Sequence, residues 1–328
     1  MINKKFGLLF PGQGSQIVGM GKELYQTQAA AKWVFNRATE VLGKDIAKLC
    51  FEGPEDLLMT TANSQPAIFT VSIATLNVLV EKLLDRPVGD ETRELFLPED
   101  IKTIGSVAMG LSLGEPTALV ASGALSFEDG LRFVSKRGEF MEEASQKEPG
   151  KMASILGLDI EKVEELCKGI GGCQIANLNA PGQVVISGHA SRVELAADLA
   201  KNQGAKRAII LKVSGAFHSE LMVCAKEKLK TVLDTIEIKE PVIDFISNID
   251  AEIVKDPVRI KDNLINQLDN KTLWEASVHK AVCLGSKDFL EIGPGNILKG
   301  LLRKIDSSVN TVSLHTIEDI NSLLVRNT

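Results

Sequence analysis

The chain has 328 residues, enough for one large domain or two smaller ones with a sizeable core. With 44% hydrophobic and 24% charged residues it reads as an ordinary globular protein, and a net charge of -6 argues against a nucleic-acid footprint. Five cysteines (Cys50, Cys167, Cys173, Cys224, Cys283) are scattered without a C-x-x-C pair, which suits reduced thiols and gives no zinc pattern, so no metal site is expected.

Phe6 to Phe10 reads as a buried strand stopped by Pro11-Gly12-Gln13-Gly14. This apolar start is too short for a signal-peptide core, and no segment approaches a membrane span in length. A cytoplasmic location is therefore expected, unless a targeting peptide has been removed. Helical patterns run with breaks from about Met20 to Leu49, and Gln65 to Leu84 reads as a core helix. Arg86 to Lys102, polar and with two prolines, reads as a surface excursion. Thr103 to Met109 reads as a strand feeding a turn, and Gly114 to Leu125 as a helix with Pro116 tolerable in its first turn. Ser126-Phe127-Glu128-Asp129 is an S-x-x-D start signal, and Phe127, Leu131, Val134 and Met141 form the apolar stripe of the helix that follows.

Lys151 to Val213 changes rhythm to β-α-β-β-α-β, the ferredoxin-like order. The expected division is therefore 149–212 as a small inserted subdomain and 1–148 with 213–328 as the large one. Strands near Val242 to Ile246 and Asp288 to Glu291 are assigned to the large one.

Gly110-Leu111-Ser112-Leu113-Gly114 has the G-x-S-x-G spacing, in which a strand turns sharply into a helix and exposes the serine hydroxyl. The motif alone is weak, because three fixed positions in five recur by chance. A nucleophilic Ser112 needs a base, usually His. Of the four histidines, His189 precedes a helix, His279 lies in a solvated helical pattern and His315 is in the tail. His218 stands in a loop after a strand, where catalytic groups are often carried, although a buried histidine bonded to backbone is the competing reading. Gly12-Gln13-Gly14 also follows a strand and is either an oxyanion-binding turn or an ordinary one; the lysine of a phosphate loop is missing. Arg137 borders the apolar stripe, so it wants an anion, either a bound carboxylate or a neighbouring glutamate.

Six stretches occur in order: FPGQGSQ, GLSLGE, SFEDGLRFVSKRGEFM, NAPGQVVISG, VSGAFHSELM and FLEIGPGNIL. Together they resemble the malonyl-CoA:acyl carrier protein transacylase family over about Phe6 to Leu302. The resemblance implies an α/β fold, with an α/β-hydrolase-like large domain and an inserted ferredoxin-like small one. It implies ping-pong transfer of malonyl from coenzyme A to the phosphopantetheine thiol of acyl carrier protein, in fatty-acid synthesis. In that scheme Ser112 is the nucleophile and His218 the base, oriented by a backbone carbonyl at Gln267. The backbone N–H groups of Gln13 and Leu113 form the oxyanion hole, Arg137 pairs with the malonyl carboxylate, and Asn179 lines the site. Phe217 narrows the pocket against methylmalonyl.

The resemblance further implies a monomer; no metal or organic cofactor is expected, because the coenzyme A thioester substrate is already activated, and the charge and the lack of a spanning segment argue against nucleic-acid and membrane partners. A basic patch for the acidic carrier is expected near Ser112, with Lys136, Lys206 and Arg207 as candidates. Leu111 departs from the family, which usually has His before the nucleophile, and the Arg86 to Lys102 stretch is long for it. The alternatives are a trans-acting acyltransferase or acyl hydrolase of a polyketide pathway, and a catalytically silent carrier-binding subunit, which Leu111 alone favours.

Overall fold

A computed structural model describes residues 4–85 and 95–327. Nine strands are described: β1 (Phe6–Phe10), β2 (Gly105–Gly110), β3 (Gly150–Leu156), β4 (Cys173–Ala180), β5 (Gln183–His189), β6 (Arg207–Ile210), β7 (Asp244–Phe245), β8 (Asp288–Ile292) and β9 (Asn310–Leu314). They form two sheets. One is wholly parallel, in the order β7-β2-β1-β8-β9. The other is antiparallel, in the order β4-β5-β3-β6.

β1 lies in the middle of the parallel sheet and is buried at every residue. Successive side chains of a strand point to opposite faces, and both faces here are covered. Phe6, Leu8 and Phe10 join a core that includes Ile68, Leu76 and Leu79 of the helix Thr61–Leu84. Leu9 points the other way, among Val107, Met109, Trp274 and Phe289. Such two-sided burial explains the near-continuous apolar run of FGLLF. The antiparallel sheet has its own core, drawn entirely from residues between Ala153 and Ala208.

The helix Thr61–Leu84 overturns one expectation. Its 24 residues are long and apolar enough to span a membrane, although no segment was expected to approach that length. It starts four residues before the expected Gln65, and 78% of its most apolar window is buried inside the protein, so its apolar surface is spent on the core.

The polar stretch before β2 is also corrected. Residues 86–94 lie outside the described residues. The rest includes a helix, Pro98–Ile104, with Asp100, Ile101 and Ile104 buried, so this part is packed and is not a surface excursion. β2 accordingly begins at Gly105, two residues later than expected. Near the C-terminus, β9 and the helix Ile317–Asn327 occupy what was read as a tail. The S-x-x-D signal does start a helix, Phe127–Lys147: the Ser126 hydroxyl accepts from the Asp129 N–H at 3.1 Å, and Phe127, Leu131, Val134 and Met141 are all buried.

Candidate active site

β1 and β2 are adjacent and parallel, and their carboxyl ends carry the two glycine-rich turns. Ligands of open α/β sheets sit outside such strand ends. After β2 the chain turns at once into the helix Gly114–Ala121. The turn is tight enough that a Cβ on Gly110 would overlap the backbone of Gly114, and one on Gly114 would overlap the carbonyl of Phe10. Ser112, between them, is held at φ 53, a left-handed conformation that costs a non-glycine residue free energy. Asn248 helps to hold it: Asn248 Oδ1 accepts from the Ser112 N–H at 2.7 Å, and Nδ2 donates to the Gly110 carbonyl at 2.6 Å.

His218 comes from the loop after β6, also at positive φ (58) and buried. Its Nε2 is 2.8 Å from Ser112 Oγ, and its Nδ1 is 2.7 Å from the main-chain oxygen of Gln267. A carbonyl can only accept, so Nδ1 carries the proton and Nε2 is left to accept from the serine. Burial, reinforced by the Arg137 cation, pushes the His218 pKa down to about 4. The imidazole is therefore neutral at physiological pH, the state a general base requires.

Arg137 lies on the buried face of the helix Phe127–Lys147, only 1% exposed. Among the described residues it forms no direct ion pair; the buried Glu115 carboxylate supports its charge, but from behind Gln267 and without contact. Two amide oxygens clamp it instead: Nη1 donates to Gln65 Oε1 and Nη2 to Gln267 Oε1, each at 2.8 Å. Nη2 also donates to Ser112 Oγ at 3.1 Å. Burial lowers its pKa to about 10, which leaves it a cation at neutral pH. A buried guanidinium beside the Ser112 hydroxyl, with no anion in contact with it, is a standing demand for one.

A cavity of about 440 Å³ opens onto Ser112 and His218. Gln13, Asn179, Phe217 and Leu111 line it, as does Lys212. Among the described residues the backbone N–H groups of Gln13 and Leu113 have no hydrogen-bond partner. Asn179 Oδ1 is buried and likewise unpartnered. Leu111 contributes only its apolar side chain. Lys136, Lys206 and Arg207 do not line this cavity. Lys136 is paired with Glu139, and the exposed lysine at the mouth is Lys212. His189, His279 and His315 are all exposed. Among the described residues no cluster of His, Cys, Asp and Glu is arranged to hold a metal.

Residues 8–83 and 98–317 match the acyl transferase domain family. The chain belongs to this family. Among acyl transferases of known name, it is 45% identical to the malonyl CoA-acyl carrier protein transacylase of Bacillus subtilis (strain 168), over 96% of this chain and 95% of that one. It is 36% identical to the Staphylococcus aureus (strain MRSA252) protein of the same name, over 96% and 97%. Acyl transferases of solved structure superpose closely. The acyl-carrier-protein S-malonyltransferase of Bartonella henselae gives a TM-score of 0.89 at 37% identity, covering 99% of each chain. A malonyl-transacylase in complex with its type II PKS acyl-carrier protein gives 0.89 at 35% identity, covering 98% of this chain and 100% of that one. The acyl transferase match breaks at 84–97, which overlaps the stretch noted as long for the family, Arg86 to Lys102.

Three residues of this cluster escaped the sequence reading: Gln65, Asn248 and Glu115. Glu115 is 1% exposed and lies one residue after Gly114. One of its oxygens accepts from the Asn248 N–H at 2.9 Å, and the other accepts from Gln267 Nε2. A signal for it existed: it is the lone charge in the apolar helix GEPTALVA.

Proposed function

We propose that this acyl transferase moves a malonyl group from coenzyme A to the phosphopantetheine thiol of an acyl carrier protein. The observation that carries this reading is the unpaired, buried Arg137 guanidinium 3.1 Å from Ser112 Oγ. Acetyl and malonyl differ by one carboxylate, and only malonyl supplies the anion that this cation lacks. The names of the relatives support the same donor and acceptor.

The chemistry runs in two halves. His218 Nε2 takes the Ser112 proton as Oγ attacks the thioester carbon. The oxyanion that forms is met by the N–H groups of Gln13 and Leu113. Collapse expels the coenzyme A sulfur, which takes the proton from His218, and leaves malonyl on Ser112. In the second half His218 removes the proton from the carrier thiol, the sulfur attacks the serine ester, and the proton returns to Oγ. Arg137 holds the malonyl carboxylate throughout. Phe217 restricts branching beside the thioester, and the unpartnered Asn179 oxygen awaits a donor from the bound ligand. A thioester carries its own activation, so the reaction calls for no metal or organic cofactor.

The two sheet orders support an α/β-hydrolase-like large domain, 1–148 with 213–328, and a ferredoxin-like small subdomain, 149–212. We also assign the protein to the cytoplasm as a monomer. The structural neighbour bound to a type II PKS carrier keeps a polyketide carrier as the second reading for the acceptor. Transfer of labelled malonyl from coenzyme A to purified fatty-acid and polyketide carrier proteins tests both readings. Preferential labelling of the fatty-acid carrier supports the first, preferential labelling of the polyketide carrier supports the second, and labelling of neither refutes the transferase assignment.

A further inference from the structure

We propose that Glu115 is a positioning residue for malonyl recognition: its carboxylate fixes which end of the Gln267 side-chain amide faces Arg137, and so sets the guanidinium beside Ser112. The inference rests on the malonyl-transfer reading and deepens it.

The Gln267 amide has one donating end and one accepting end. Nε2 faces two acceptors, the main-chain oxygen of Ser112 at 3.0 Å and the carboxylate of Glu115. Oε1 is thereby turned to Arg137 Nη2 at 2.8 Å. Were the amide reversed, its NH₂ would oppose the guanidinium, donor against donor and next to a cation. Gln267 is also the residue whose main-chain oxygen orients His218. Glu115 thus stands behind both the base and the anion receptor without touching either.

Both oxygens of Glu115 are used, one by Gln267 and one by the Asn248 N–H. Only an ionised carboxylate accepts at both ends; an amide or a protonated acid offers a donor at one of them. Asn248 in turn accepts from the Ser112 N–H at 2.7 Å. Keeping a carboxylate here is costly, since burial pushes its pKa up to about 7 despite the neighbouring Arg137. A role limited to holding the fold is met at lower cost by a neutral side chain.

The test compares rates of Ser112 acylation by malonyl-CoA and by acetyl-CoA in the full-length wild type, Glu115→Gln and Glu115→Asp, read as intact mass after rapid quenching. In Glu115→Gln the preference for malonyl over acetyl is expected to fall by about 10- to 100-fold, the worth of one charge-assisted hydrogen bond. Glu115→Asp keeps both acceptors and should stay within about threefold of the wild-type ratio. Equal slowing with both donors in Glu115→Gln overturns the proposal, as does an Asp variant no better than Gln. A wild type that takes both donors alike refutes the malonyl reading itself, which a selective wild type with an unaffected Gln variant does not. If Glu115→Gln fails to fold, the wild-type ratio is followed between about pH 5.5 and about pH 8.5. The charged groups of the cluster, Arg137 (about 10) and His218 (about 4), do not titrate in that range. The preference should fall on acidification through about pH 7 as Glu115 takes up its proton, and a flat ratio overturns the proposal.

Discussion

Ser112 and His218 meet across 2.8 Å, and both hold left-handed backbone conformations, φ 53 and φ 58. Neither is a glycine, so the fold bears strain at both ends of one hydrogen bond. Such strain persists only where surrounding contacts over-determine it. Here those contacts are the Asn248 clamp on Ser112 and the Gln267 carbonyl on His218.

Ser112→Ala should abolish the covalent acyl adduct altogether. His218→Ala should still form it, but more slowly by roughly 10²- to 10⁴-fold, the usual worth of a positioned base. Rapid-quench mass measurement of the adduct with malonyl-CoA checks both.

The low pKa of His218 moves the acid limb of activity. The base works only when neutral, so acylation should persist as the pH falls through 6.5, the ordinary histidine value, and be lost through about 4. Acetyl-CoA is the suitable donor, because it makes no demand on Arg137. A limb near 6.5 in its pH–rate profile would contradict this environment for the ring. The same shift bears on stability. Between about 6.5 and about 4 the unfolded chain binds the proton first, so the contribution of a neutral His218 is lost progressively on acidification across that window.

Replacing Arg137 with methionine should reduce the malonyl-to-acetyl ratio by roughly 10²-fold, since the carboxylate would then be buried without its partner. Stability should fall, because the Gln65 and Gln267 amide oxygens lose their donor at about 1–3 kcal/mol each, a loss offset in part by relief of the costly buried cation. Acylation rates with the two donors, beside thermal unfolding of both proteins, check the two parts separately.

Phe217 is 6% exposed and lines the cavity next to His218. Shortening it to serine should improve methylmalonyl-CoA relative to malonyl-CoA by about 10- to 200-fold, the range that one methyl group commands in an apolar pocket. Competition between the two donors, scored by adduct mass, measures this.

Asn248→Ala should slow acylation by malonyl and acetyl alike, and cost about 1–3 kcal/mol of stability, because the Ser112 N–H loses its acceptor. Denaturant unfolding gives the second number.

What was legible in the sequence is what local spacing encodes. The glycines around Ser112, the S-x-x-D start before Phe127 and the apolar stripe that Arg137 borders all act within one or two turns of chain. The ordered motifs supplied the resemblance, and with it His218 and the backbone of Gln267. The side-chain network was not legible, because its partners are far apart: Gln65 lies 72 residues from Arg137, Asn248 lies 136 from Ser112, and Glu115 lies 152 from Gln267. No periodicity reports such contacts. β9 was missed for a different reason: Asn310–Leu314 is an edge strand with only two fully buried residues, so its apolar signal is thin.

The central claim is that Ser112 accepts malonyl because Arg137 waits for its carboxylate. Brief mixing of the protein with malonyl-CoA or acetyl-CoA, followed by intact-mass measurement beside a Ser112→Ala control, tests it directly. The account predicts a malonyl adduct that requires Ser112, and little acetyl adduct under the same conditions. Equal adducts from both donors, or a malonyl adduct that survives Ser112→Ala, would contradict it.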